Sequence, residues 1–124
     1  MNLLVSALLL IVAVIHLLPL VGVLGADRLA RLYGLSLKDP NLILLMRHRA
    51  VLFGLLGTFF VYAAFSPNVQ MLAFVAGLVS VVSFLGLAWP ISRYNQQVRQ
   101  VFMADVIALA ALIVGGAVHL LTRT

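Results

Sequence analysis

The chain has 124 residues, of which 65% are hydrophobic and only 9% are charged, and it contains no cysteine. Soluble domains are usually about half apolar and about a quarter charged, so this composition indicates an integral membrane protein rather than a soluble enzyme, a nucleic-acid-binding protein or a disordered segment. The absence of cysteine also excludes thiol catalysis and thiolate metal sites.

Four apolar stretches are each long enough to cross a bilayer as a helix, which takes about 20 residues. We interpret the first as a retained span, because it lacks a basic start and is too long for the apolar core of a signal peptide. A capped helix start is indicated by Lys38-Asp39-Pro40-Asn41. A tight turn is indicated by Ser66-Pro67-Asn68. The sequence predicts an all-α integral membrane protein, a single four-transmembrane-helix bundle with spans at about residues 3–25, 42–65, 69–91 and 98–121.

Basic side chains are distributed unequally between the two ends of these spans. Seven of the eight Lys and Arg residues fall on the side of the first and third connections, and only Arg123 falls on the other side. Cytoplasmic loops are enriched in Lys and Arg, so the pattern predicts a bacterial inner-membrane protein with both termini periplasmic. The segment 27–34 combines Leu and Tyr with Arg, which is typical of a short interfacial helix or of a basic loop at anionic headgroups.

Small residues recur at helical spacing in three of the predicted spans. Membrane helices use such positions for close backbone contact. We interpret them as contacts within the bundle, while the same faces also suit a homo-oligomer. The positions are Gly54 and Gly57 in the second span, Ala73, Gly77 and Ser80 in the third, and Ala104, Ala108, Ala111 and Gly115 in the fourth.

A few ionisable residues fall inside the predicted spans, where charge is costly and marks functional positions. Arg47, His48 and Arg49 lie about two turns into the second apolar stretch, and Asp105 lies about two turns into the fourth. His16 lies toward the same end of the first span. By depth, these groups can meet in one cytoplasm-facing cavity, so we take all five as candidate ligand-binding residues.

Three interpretations of this cluster are open. In the first, Asp105 pairs with Arg47 or Arg49 and fixes helix register, while His48 and the other arginine reach the headgroups. In the second, the basic groups bind an anionic or phosphorylated lipid, to which arginine is suited by its paired hydrogen bonds. A proton or ion path is a further functional possibility.

The histidines do not predict a metal or haem site. His16 and His119 differ in depth, since the first span runs inward and the fourth runs outward, so one ion cannot bridge them. We expect His16 to form a hydrogen bond to a neighbouring helix and His119 to face the bundle at its outer end. No catalytic set of residues is recognisable, and we expect no cofactor.

A stretch of about 25 residues resembles a known membrane-protein family. Leu32-Tyr33, Pro40-Asn41-Leu42, Arg49 and Phe53-Gly54 follow one another as in the first connection and second span of the sterol-biosynthesis scaffold family, four-span proteins that tether ergosterol enzymes. The layout is also similar to small bacterial proteins of the DoxX type. The resemblance implies scaffolding or association with hydrophobic small molecules, and it assigns no binding residue.

The sequence as a whole predicts a small inner-membrane protein that acts as a non-catalytic scaffold or binds a lipid or hydrophobic small molecule. Its expected partners are membrane lipids, including an anionic or phosphorylated lipid, and other membrane proteins or further copies of the chain. The alternative is an enzyme or transporter that acts on an anionic lipid or small ion at the cytoplasmic face.

Overall fold

The computed structural model of the chain describes residues 2–19, 30, 39–91 and 95–122. Most of these residues form four α-helices, and a short 3-10 turn at Pro67–Val69 joins the second helix to the third. The helices are α1 (Leu3–Leu17), α2 (Pro40–Ala64), α3 (Gln70–Ala88) and α4 (Gln96–Thr122).

Some sequence predictions fall outside the described residues. These are the interfacial segment 27–34 apart from residue 30, the part of the first span beyond residue 19, and the basic side chains of Lys38, Arg93 and Arg123. Within the described part, α1 ends at Leu17, two residues before Pro19. Proline has no backbone N–H and its ring clashes with the preceding turn, so it does not continue a helical hydrogen-bond ladder.

The helix starts follow local capping signals. The side-chain oxygen of Asp39 accepts a hydrogen bond from the backbone N–H of Asn41 at 2.9 Å, with Pro40 at the first helical position. This confirms the predicted start of α2. The side chains of Asn2 and Asn95 accept in the same way from backbone N–H groups in the first turns of α1 and α4. Each cap satisfies N–H groups for which the helix itself offers no acceptor.

The four helices alternate in direction around a common core. Helix α1 packs against α2 and α4, α3 packs against α4, and α2 and α3 touch only lightly. The order around the bundle is therefore α2, α1, α4, α3, and the side between α2 and α3 is the least closed. We call the end where α2 and α4 begin the basic end, because Arg47, Arg49 and Arg99 lie there, and the opposite end the turn end.

The core forms where glycines allow the helices to approach closely. Phe60 and Leu112 are fully buried. A Cβ atom on Gly77 would lie 2.7 Å from Leu112 Cδ2, and one on Gly57 would lie 2.7 Å from Leu17 Cγ. The predicted small-residue strips therefore face the bundle. Their buried members are Gly54, Gly57, Ala73, Gly77, Ala108, Ala111 and Gly115.

Side chains also join the helices at the turn end. Gln70 is buried, and its Nε2 donates to the carbonyl oxygen of Ala63 at 3.0 Å. The hydroxyl of Ser6 donates to the carbonyl oxygen of Ala64. The last carbonyls of a helix have no partner within the helix, so these two bonds satisfy the end of α2 and tie α1 and α3 to it.

The outer surface of the bundle is apolar. Many large apolar side chains are exposed there; Leu55 and Val79, for example, are each 65% exposed. Among the described residues, three helical segments are long and apolar enough to cross a membrane: α2, α3 with its preceding turn, and α4. These features confirm a helical bundle and indicate a membrane protein. The described helix α1, with 15 residues, is shorter than the ~20 residues that a span requires.

Candidate functional site

A cavity of about 170 Å³ lies between α1, α2 and α4 at the basic end. Its polar wall contains His16, Arg49, Gln100 and Asp105, and apolar side chains such as Phe53 complete it. Its volume is close to that of an engineered cavity of about 150 Å³ that binds benzene. The cavity therefore has room for one ring or a short aliphatic segment.

Helical spacing brings the lining residues together. On α4, Val101, Ala104 and Asp105 stand at positions i, i+3 and i+4, so they share one face. On α2, Arg49 and Phe53 are four residues apart, so they share one face of that helix. Because α1 packs between α2 and α4, its end closes the space that these two faces leave.

His16 is held on both sides of its ring. The side chain is 2% exposed, and its ring contacts that of Phe60 with centroids 4.9 Å apart. Nδ1 donates to the carbonyl oxygen of Val12 at 3.0 Å, because a carbonyl oxygen can only accept. In the neutral ring, Nε2 then accepts from the hydroxyl of Ser80 at 3.0 Å. The predicted hydrogen bond to another helix is present, and His16 offers the cavity its ring rather than a nitrogen lone pair.

Arg49 and Asp105 bring opposite charges to the cavity. The guanidinium carbon of Arg49 lies 4.5 Å from the centroid of the Phe53 ring, a cation–π contact. Asp105 is half-buried on the facing helix and within Coulombic range of Arg49. Charges interact more strongly beside an apolar wall than in water. Arg49 is therefore the arginine that faces Asp105.

Arg47 and His48 are placed differently. Both side chains are exposed, and neither lines the cavity. Two residues along a helix correspond to a rotation of about 200°, so Arg47 and Arg49 point to nearly opposite sides of α2. The structure thus brings together three of the five candidate residues, His16, Arg49 and Asp105.

Sequence reasoning missed Phe53 and Gln100. Phe53 carried a usable signal, because it follows Arg49 by four residues and therefore shares its face. Gln100 carried no such signal, since a neutral polar residue in the first turns of a helix usually faces solvent. It lines the cavity only because α1 ends beside it.

The remaining histidine lies at the turn end, away from this site. The rings of His119 and Phe74 contact each other with centroids 5.9 Å apart, so His119 faces the bundle as predicted. Within residues 2–19, 30, 39–91 and 95–122, no group of three His, Cys, Asp or Glu side chains is arranged to hold a metal ion.

Comparisons of the chain with protein-family models, with curated proteins and with solved structures find no match. Nothing in them bears on the resemblance to the sterol-biosynthesis scaffold family or on the DoxX-like layout, and both stay predictions from sequence. The cavity and its side chains are therefore the features of the molecule that bear on its function.

Proposed function

We propose that this chain is a small membrane protein that binds a hydrophobic molecule bearing one polar group, without catalysing a reaction. The observation that carries the proposal is the pair of opposite charges, Arg49 and Asp105, on the wall of an otherwise largely apolar cavity. Ligand sites are typically apolar pockets with a few convergent polar groups. Such a protein can also serve as a scaffold, since other membrane proteins can bind to its apolar outer surface or to the bound molecule.

The polar wall defines the chemistry of the ligand. The Arg49 guanidinium only donates hydrogen bonds, the ionised Asp105 carboxylate only accepts them, and the Gln100 amide does both. A hydroxyl or carboxamide group satisfies this set because it donates and accepts. A phosphate suits it less, because Asp105 repels an anion. We therefore expect a compact hydrophobic ligand with a hydroxyl or amide group.

The proposal includes four membrane spans and a defined orientation. Helix α1 belongs to the first span, predicted at about residues 3–25, and α2, α3 and α4 form the other three. The basic end faces the cytoplasm of a bacterial inner membrane, with both termini periplasmic. This orientation is supported by Arg47, Arg49 and Arg99 at one end of the described bundle.

The alternative function is transport or catalysis on an anionic lipid or small ion. It is favoured by Asp105, a half-buried carboxylate inside a predicted span. The substitution Asp105→Asn separates the two functions, because asparagine has nearly the same shape but no charge. A binder keeps most of its ligand in this variant, whereas a transporter or enzyme that moves protons through Asp105 loses its activity.

The experiment that tests binding uses two alanines of α4. Ala104 lines the cavity, whereas Ala110 is exposed on the outer surface. Native mass spectrometry of the protein purified from membranes is expected to show one bound small molecule in the unaltered chain and in Ala110→Leu. In Ala104→Leu the added side chain fills the cavity, so the bound fraction is expected to fall at least about tenfold. Equal occupancy in the two variants, or no bound molecule in the unaltered chain, would contradict the proposal.

A further inference from the structure

A second opening lies on the side where α2 and α3 touch only lightly. It is a groove of about 330 Å³ between the two helices, with Arg49 and Leu52 on one wall and Ser80 and Ser83 on the other. The groove opens outward, because Leu52 is 51% exposed and Leu87, at its far edge, is 75% exposed. In a membrane, the groove therefore faces lipid.

The groove extends from the headgroup level toward the bilayer centre. Arg49 precedes Ala64, the last residue of α2, by 15 positions, which is about 22 Å along the helix. The hydrocarbon core is about 30 Å thick, so with Ala64 at one boundary the Arg49 backbone lies about 8 Å inside the other. Its long side chain can reach the headgroups from that depth. Leu52 and Leu56 line the groove progressively deeper.

We propose that this groove binds one anionic phospholipid, with its phosphate at Arg49 and an acyl chain along Leu52 and Leu56. Arginine matches phosphate oxygens with paired, charge-assisted hydrogen bonds. Among the described residues, no acidic side chain lines the groove, in contrast to the cavity with Asp105. The charge, the depth and the apolar floor thus all fit an anionic lipid.

The groove is distinct from the cavity although the two share a wall. Arg49 and Phe53 line both spaces. His16 on the cavity side is hydrogen-bonded to Ser80 on the groove side. One layer of side chains therefore separates a lipid in the groove from a ligand in the cavity. The lipid site does not depend on an occupied cavity.

The test uses tryptophan fluorescence, since Trp89 is the only tryptophan in the sequence. In a Trp89→Phe background, Leu52→Trp places the fluorophore in the groove. Leu55→Trp places it on the open lipid-facing surface of the same helix, where Leu55 is 65% exposed. Each protein is reconstituted in phosphatidylcholine vesicles that contain increasing fractions of chain-brominated phosphatidylglycerol or chain-brominated phosphatidylcholine. Bromine quenches tryptophan on contact.

At the groove position, half-maximal quenching of the tryptophan is expected at a mole fraction of brominated phosphatidylglycerol about fivefold lower than the mole fraction of brominated phosphatidylcholine that gives the same quenching. At Leu55→Trp the two lipids are expected to quench equally. Adding Arg49→Gln is expected to abolish the preference at the groove, provided that circular dichroism shows the bundle folded. Equal quenching by the two lipids at Leu52→Trp with Arg49 in place would overturn the proposal.

Three further variants keep the test independent of Arg49 and of the cavity. Ser83→Phe blocks the groove and is expected to remove the preference, whereas Val82→Phe, at an exposed position outside the groove, is expected to keep it. Ala104→Leu fills the cavity but does not reach the groove, which Ala104 does not line, so it is expected to leave the preference intact. This proposal and the proposed function can therefore fail separately. A preference that persists in Ser83→Phe, or that disappears in Ala104→Leu, would contradict a separate lipid site in the groove.

Discussion

The guanidinium of Arg49 lies over the ring of Phe53, one helical turn away on α2, with the carbon Cζ 4.5 Å from the ring centroid. The same ring contacts that of His16, with centroids 5.7 Å apart. The electron-rich face of the ring stabilises the cation, and Asp105 across the cavity adds an opposite charge. This arrangement holds a positive charge within an apolar helix, at the wall that the cavity and the groove share.

The hydrogen bond between His16 and Ser80 is expected to stabilise the bundle. Ser80→Ala removes the hydroxyl that donates to Nε2 and is expected to lower the free energy of unfolding by about 1 kcal/mol, the scale of hydrogen bonds between membrane helices. Ser83→Ala is the control, because the Ser83 hydroxyl donates only to the carbonyl oxygen of Ser80 in its own helix. Unfolding in mixed micelles measures the free energy of unfolding of each variant. Equal decreases for Ser80→Ala and Ser83→Ala would contradict a stabilising hydrogen bond between His16 and Ser80.

The close approach of α3 and α4 makes Gly77 intolerant of a methyl group. A Cβ there would lie 2.7 Å from Leu112 Cδ2 and 3.3 Å from Phe60 Cζ, and both side chains are fully buried with little room to move. Gly77→Ala is therefore expected to lower the free energy of unfolding by about 1–3 kcal/mol. Gly86→Ala, on the same helix with no atom within 4 Å, is expected to be neutral or stabilising by up to about 1 kcal/mol. A loss at Gly86 as large as that at Gly77 would argue against this packing.

The two arginines of α2 are expected to differ in their effect on ligand binding. Arg49 lines the cavity and Arg47 is exposed away from it. Arg49→Gln is expected to lower the fraction of protein with bound small molecule at least about fivefold, whereas Arg47→Gln leaves it unchanged. Native mass spectrometry measures both variants under identical extraction. The prediction fails if Arg47→Gln has the larger effect.

The helices could be predicted because apolar length and capping are local properties. The second and fourth predicted spans, 42–65 and 98–121, agree with α2 and α4 to within two residues, and the start of α2 follows from Asp39. The first predicted span, at about residues 3–25, agrees with α1 over residues 3–17, and its part beyond residue 19 lies outside the described residues.

The site was harder to predict because it depends on how the helices are rotated. Depth along the span placed Arg47, Arg49, Asp105 and His16 at one level, and in the structure Arg49, Asp105 and His16 line one cavity. It did not indicate which arginine faces inward, since that depends on the rotation of α2 against α1 and α4. The contribution of Gln100 follows from the packing of three helices that are distant in sequence, so no local pattern reveals it.

The orientation of the bundle is a separate prediction. The basic residues at one end are expected to stay in the cytoplasm, so alkaline phosphatase fused to the C-terminus is expected to be exported and active. The same enzyme fused after residue 95, at the start of α4, is expected to be inactive because it stays in the cytoplasm. The reversed pattern of activities would contradict the proposed orientation.

The most direct test of ligand binding is a crystal structure of the unaltered protein grown from a lipid mesophase. The proposed function predicts non-protein electron density within hydrogen-bonding distance of Arg49, Asp105 or Gln100, with its apolar part against Phe53. The same crystals of Ala104→Leu are expected to lack this density. A cavity that holds only ordered water in the unaltered protein, or one closed by direct contact between Arg49 and Asp105, would contradict the proposed function.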